Sequence, residues 1–366
     1  YSANGPTSRR ITSWLMLLDL DGDTDTDILG GDVDGNPSLA STQNADGSFT
    51  GVSGCLYDVD RCLPIDFNGD GDIELIAAPL VGVGYNSSLL NVNVGSGIFG
   101  SIYSWPERDT LFTPQWSGIT VPNLTRAWAT FMVFDANNDS YPDLVHPQLN
   151  MIFFNGPSGF DSTPQVGNFT ASASMFDTSY SDDSSQHSNP HQQVPIDYDN
   201  DGDFDIFKIR VNKGGNNQID LADADGDGDG IWLLQNNGSG VFTDVSTTEL
   251  AGLSLTSLTY QTTYAGLGVG DFNNDGKSDL RADWLTGGGF SAPCGVILNG
   301  GTGSWTKHAI ACENVLSTAG GRVPGSGGAS KTVVAHGDYD GDGLLDLISS
   351  NAQRSSSKDT VAVWRN

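Results

Sequence analysis

The chain has 366 residues, with 16 Lys+Arg against 45 Asp+Glu and a formal net charge of −29. A surface this acidic repels phosphate backbones and anionic lipid heads, so nucleic acid and membrane are poor partners, and no apolar run approaches the ~18–20 residues of a membrane span. The acids are clustered, and 37% hydrophobic content with 8 Trp, 10 Tyr and 16 Phe is enough to build a core, which sets a disordered acidic tail aside.

Abundant Gly, Ser, Thr and Asn with few Lys and Glu suit strands and turns rather than helices. In chain order, a short strand is expected before each of six acidic loops and another after it. Loop one carries Asp19, Asp21, Asp23, Asp25 and Asp27 at its odd positions. Loop two carries Asp66, Asn68, Asp70, Asp72 and Glu74, and loop three Asp135, Asn137, Asp139, Tyr141 and Asp143. Loop four has Asp197, Asp199, Asp201, Asp203 and Asp205. Loop five has Asp271, Asn273, Asp275, Lys277 and Asp279, and loop six Asp338, Asp340, Asp342, Leu344 and Asp346. The shared rule is an oxygen side chain at positions 1, 3, 5 and 9, usually with Gly at 6.

This spacing suits calcium, a hard cation that takes six to eight oxygens at about 2.3–2.6 Å. A tight loop turns every second side chain inward, so positions 1, 3 and 5 converge. Position 7 tolerates Tyr141, Lys277 and Leu344, as expected if it offers only its backbone carbonyl. The carboxylate at 9 closes the shell, and Gly at 6 permits the sharp turn. Without a cation, several carboxylates within a few ångströms would repel one another strongly. About six calcium ions are expected.

A turn signal follows most loops: Asn44 to Phe49, Asn93 to Phe99, Asn155 to Phe160, Asn237 to Phe242 and Asn299 to Trp305, while the sixth unit stops at Asn366. Each unit then reads as strand, metal loop, strand, strand, turn, strand. These residues resemble the FG-GAP/VCBS repeat, the calcium-binding blade of integrin-α-like β-propellers and of some fungal lectins and polysaccharide lyases. The expected fold is all-β, a single β-propeller over 1–366 with four-stranded blades. Six blades are preferred and seven are the alternative. The segment Ser2–Thr12 would supply the last strand and close the ring. A seventh acidic cluster, Asp223, Asp225, Asp227 and Asp229, follows loop four too closely for another blade. Residues 220–230 therefore read as an insertion in blade four, with a weaker seventh calcium or a solvated hairpin tip as its two readings.

Cys55/Cys62 and Cys294/Cys312 are read as two local disulfides, with buried free thiols as the alternative. Five sequons, at Asn86, Asn123, Asn138, Asn168 and Asn237, are compatible with secretion, and glycosylation at Asn138 would conflict with its metal loop. Tyr1 in place of an initiator Met reads as a processed or trimmed form; the two cysteine pairs and the sequons make a secreted or cell-surface location the expectation.

Ligand contacts are expected on the long connections Gly100–Trp128, Asp161–Val194 and Thr306–Lys331. The first offers Trp105, Trp116, Trp128 and Arg126, as sugar platforms and an anion clamp or as wedges between blades. The second offers Tyr180, His187 and His191, as acid–base groups or as parts of a polar loop. No nucleophile elbow, P-loop, HExxH or paired CxxC occurs, and Gly266-Leu-Gly268-Val-Gly270 is a strand beside a metal loop rather than a dinucleotide fingerprint. The leading expectation is a non-catalytic extracellular binding or adhesion module for glycan or protein. The alternatives are a lyase acting on acidic polysaccharide through Arg126, Tyr180, His187 and His191, and a self-assembling subunit of a surface layer or filament.

Overall fold

Each acidic loop is the connection of one antiparallel hairpin, and the same pairing closes all six. In the computed structural model, the residue preceding loop position 1 faces position 9: Leu18 with Asp27, Ile65 with Glu74, Phe134 with Asp143, Ile196 with Asp205, Gly270 with Asp279 and Gly337 with Asp346. The structure describes residues 14–19, 22–31, 39–51, 59–65, 74–79, 89–91, 132–147, 150–157, 165–176, 191–210, 218–226, 230–253, 255–256, 267–282, 294–310, 331–352 and 360–365.

Two compact units divide the chain. Tyr1–His146 with Met151–Val166 form one, and Pro147–Asn150 with Gly167–Asn366 the other. The first holds three antiparallel sheets. Sheet one is β1 (Trp14–Leu18), β2 (Asp27–Gly31), β3 (Leu39–Gln43) and β4 (Phe49–Gly51) in that order. Sheet two is β5 (Val59–Ile65), β6 (Glu74–Pro79) and β7 (Leu89–Asn91). Sheet three is β8 (Met132–Phe134), β9 (Asp143–His146), β10 (Met151–Phe153) and β11 (Gln165–Val166). The first strands of sheets two and three are neighbours, β5 beside β8.

The second unit begins with β12 (Phe169–Thr170), β13 (His191–Ile196), β14 (Asp205–Arg210), β15 (Gln218–Leu221), β16 (Gly230–Asn236), β17 (Phe242–Asp244) and β18 (Leu255–Thr256). Sheet four runs β13-β14-β16-β17, with β12 added parallel to β17 at the outer edge. The Phe169 and Phe242 rings stack there at 4.9 Å, and Asn168 Nδ2 donates to the Gly240 carbonyl at 2.9 Å. The second long connection is thus partly structural: it covers an edge that would otherwise expose unpaired backbone groups. Sheet five is β19 (Leu267–Gly270), β20 (Asp279–Ala282), β21 (Cys294–Asn299) and β22 (Trp305–Ile310). Sheet six is β23 (Lys331–Gly337), β24 (Asp346–Ala352) and β25 (Thr360–Trp364), lacking a fourth strand among the described residues as its sequence anticipates. Ser2–Thr12, the expected closing strand, lies outside the described residues.

Every residue of β14 is buried, which identifies a strand covered on both faces. Phe207 and Ile209 join Ile196, Tyr198, Ile231, Leu233, Leu280, Ile297 and Trp305 in one apolar cluster between sheets four and five. At roughly 25 cal/mol per Å² of apolar surface, such a cluster is the main reason the two sheets stack. Phe272, Val296 and Leu347 continue it between sheets five and six. The glycines of β19 let sheet six approach closely: a Cβ on Gly270 would lie 2.5 Å from Leu345 Cδ1, and one on Gly268 3.0 Å from His336 Cε1. That is the strand reading of the Gly-x-Gly string.

Candidate metal centres

Position 1 is the hub of the five loops among the described residues. Asp19 accepts the amides of Gly22, Asp23 and Thr24 at 2.8, 3.2 and 2.9 Å, and Asp338 those of Gly341, Asp342 and Gly343 at 2.7, 3.1 and 2.9 Å. Asp135 takes Asp139 and Ser140 (3.1 and 2.7 Å), Asp271 takes Asp275 and Gly276 (3.1 and 2.8 Å), and Asp197 takes Gly202 (3.2 Å). Position 5 then accepts the amide of position 7: Asp23 from Asp25, Asp139 from Tyr141, Asp201 from Asp203, Asp275 from Lys277 and Asp342 from Leu344. The seventh residue therefore uses its backbone whatever its side chain, which explains the tolerance seen in the sequence.

Curling this many amides onto one carboxylate requires two left-handed residues. Position 4 is one: Gly22, Asn138, Asn200, Asn274 and Gly341 have φ of 75°, 61°, 60°, 58° and 77°. Position 6 is the other: Thr24, Ser140, Gly202, Gly276 and Gly343 have φ of 74°, 73°, 92°, 84° and 88°. Gly and Asn occupy this region at least cost. The sequence rule named position 6 and missed position 4, although Gly or Asn stands at the fourth place in all six loops, Gly69 included.

Position 9 is the electrostatic centre. Asp27, Asp143, Asp205, Asp279 and Asp346 are at most 1% exposed. One oxygen accepts the amide of loop position 2: Ala136 at 2.8 Å, Tyr198 at 3.3 Å, Phe272 at 2.9 Å and Tyr339 at 2.9 Å. The other accepts an amide at or just past the end of the third strand: Gln43 at 2.7 Å, Asn155 at 2.7 Å, Asn236 at 2.8 Å and Asn299 at 2.7 Å. This carboxylate latches loop and sheet together as well as facing the loop interior. Burial pushes Asp143 up to about 7 and Asp205 up to about 8, against the pull of their two amides and helped by the neighbouring acids of each loop. Asp279 rises for the same reasons. Asp199 is raised mainly by burial, while the Gln235 amide at 2.9 Å opposes the shift. A buried carboxylate crowded by acids needs a proton or a cation.

The residues fit a hard cation. In loop four Asp197, Asp199 and Asp205, and in loop six Asp338, Asp340 and Asp346, each offer an oxygen within 4.8 Å of the others. That separation matches oxygens placed about 2.3–2.6 Å around one ion. All donors are oxygens, the choice of calcium or magnesium rather than a soft metal. Asp340 also pairs with Arg365 at 3.1 Å, a surface contact that an ion would compete with.

Several predicted residues fall elsewhere. Asp21, Asp66, Asn68, Asp70 and Asp72 lie outside the described residues, and Glu74 is described only as backbone of β6. Asp227 and Asp229 of the seventh acidic cluster also lie outside the described residues. Its Asp223 is buried and left-handed (φ 55°), following a left-handed Ala222, and its turn is closed by Gly226 donating to the Asp223 carbonyl at 3.2 Å. The cluster lies between β15 and β16, and β15 pairs with β16 and β18. Trp105, Trp116, Arg126, Trp128, Tyr180, His187, Cys55 and Cys312 lie outside the described residues. His191 opens β13 opposite Arg210, and Cys62 and Cys294 stand in β5 and β21, all three as backbone only.

No family model matches the chain. No curated protein matches it either. Among solved structures, the chain is similar to an Agrocybe aegerita lectin described as recognising non-reducing terminal N-acetylglucosamine. The likeness has a TM-score of 0.54 at 16% identity and covers 96% of this chain and 80% of the lectin. At that identity it is a likeness of fold. A second similarity, to a Tc holotoxin pore of Photorhabdus luminescens, has a TM-score of 0.43 at 14% identity and covers 96% of this chain and 14% of that one, too low to carry an argument.

Proposed function

We propose that this chain is a calcium-stabilised β-propeller of six blades that binds glycan through connections outside its metal loops. The observation that carries the calcium reading is the buried ninth carboxylate, which recurs with the same two amide partners and faces the acids of its own loop. The neighbouring first strands, β5 by β8 and β13 by β19, support a radial stacking of sheets. On this reading the chain is of the FG-GAP/VCBS type.

The glycan reading rests on the fold shared with the lectin and on the absence of a catalytic constellation from the sequence motifs. A secreted location goes with it. The test is a glycan array that includes terminal N-acetylglucosamine, probed in millimolar calcium and again with chelator. Binding to a defined sugar that is lost in chelator is expected. A blank array in calcium, with new unsaturated ends released from acidic polysaccharide, would replace the lectin reading by the lyase one.

A further inference from the structure

The fourth and fifth loops are tied together by two side-chain amides. Asn200, at position 4 of loop four, donates Nδ2 to the carbonyl of Gly276, position 6 of loop five, at 2.9 Å. Asn299, at the end of β21, donates Nδ2 to the carbonyl of Tyr198, position 2 of loop four, at 2.7 Å in a buried contact. Both ties end on residues that loop carboxylates already hold. Gly276 donates its amide to Asp271 at 2.8 Å, Tyr198 donates to Asp205 at 3.3 Å, and Asn299 donates to Asp279 at 2.7 Å. An unbroken run of bonded residues therefore leads from the ninth carboxylate of loop four, through Tyr198 and Asn299, to the ninth carboxylate of loop five.

We propose that loops four and five take up calcium cooperatively, with Asn200 and Asn299 as the coupling residues. The proposal rests on the calcium reading above. An ion that gathers Asp271, Asp275 and Asp279 fixes Gly276 and the start of β20. It thereby fixes the acceptor for Asn200 and the anchor of Asn299. These two amides then restrain the stretch from Tyr198 to Asn200, so loop four has less conformational freedom left to lose when its own ion arrives. Linkage makes the effect reciprocal: whatever loop five gives loop four, loop four returns. Asn236, the counterpart of Asn299 in sheet four, bonds the Phe204 carbonyl of its own sheet at 3.2 Å. Asn299 makes the matching bond to the Ser278 carbonyl at 3.3 Å.

The experiment counts calcium ions bound to the full chain by native mass spectrometry across a series of free-calcium concentrations. Disabling loop five by Asp271→Asn with Asp275→Asn should remove one ion and weaken a second by about tenfold, within the 5–150-fold range usual for coupled sites. The same pair of substitutions in an Asn200→Gly, Asn299→Ala background should remove one ion and weaken none. Asn200→Gly keeps the left-handed backbone while deleting the amide. By itself it should lower the affinity of two ions several-fold. Loss of one ion with every remaining affinity unchanged in the otherwise wild-type chain overturns the coupling while leaving the calcium reading intact. A wild-type chain that binds no calcium overturns both.

Discussion

Asp205 has two separable duties, and one pair of substitutions tells them apart. As a latch it accepts the amides of Asn236 and Tyr198 at 2.8 and 3.3 Å in a site 1% exposed. Asp205→Ala orphans both amides, at about 1–3 kcal/mol each for a buried unsatisfied group, or about 2–6 kcal/mol together. That loss should appear in chelator and in calcium alike. Asp205→Asn keeps one acceptor oxygen, so its cost in chelator should be only about 1–3 kcal/mol. In excess calcium it also forfeits the ion, which at a hundredfold excess over Kd contributes about 2.7 kcal/mol. Urea unfolding followed by Trp fluorescence, in chelator and in calcium, measures both. The expected signature is a calcium-dependent gain that is smaller in Asp205→Asn than in wild type by roughly one ion's worth. Equal losses with and without calcium would refute the metal role, and an Asp205→Ala chain as stable as wild type in chelator would refute the latch.

The raised carboxylates make a pH prediction with a definite sign. Asp143 at about 7 and Asp205 at about 8 bind protons more tightly folded than unfolded, where the value is near 3.9. Their contribution is therefore full below about pH 4 and is lost as pH rises through 7 to 8. Metal-free protein should melt at a higher temperature at pH 5 than at pH 8, with calcium abolishing the difference. A metal-free melting temperature that rises steadily with pH over this window would contradict the assignment. Thr24 holds φ 74° with a β-branched side chain, so Thr24→Gly should stabilise metal-free protein by about 1 kcal/mol, detectable as a higher urea midpoint. Lys208 is wholly buried beside Arg210, its Nζ donating to the Met175 carbonyl at 3.3 Å, and burial lowers it to about 7. Lys208→Met should leave the chain as stable or more so at pH 7. The gain should shrink as pH rises towards 10.5, because only the unfolded amine is charged in that interval; unfolding free energies at pH 7 and 10 decide it.

The positions of the six loops were legible in the sequence because each obeys a local rule. Calcium-type spacing fixes the acids at 1, 3, 5 and 9, and the same eight-residue reach brings position 9 back opposite the strand end that precedes position 1. The left-handed pair at 4 and 6 was equally local and could have been read whole. Asn155 and Asn299 were visible only as turn residues, and Asn236, one place before the turn at Asn237, was not singled out. Their second duty, placing an amide on the ninth carboxylate, depends on a third strand returning from elsewhere in the chain. The same limit applies to sheet four: nothing in Asn168-Phe169 by itself says that it will lie parallel to β17. Short-range spacing determined the loops and the hairpins that carry them, because those contacts are made within a few residues. Tertiary structure alone decided which acids are buried deeply enough to be held near neutrality, which glycines admit a neighbouring sheet, and which loops are tied to one another. Each of those depends on what packs against a residue from far along the chain.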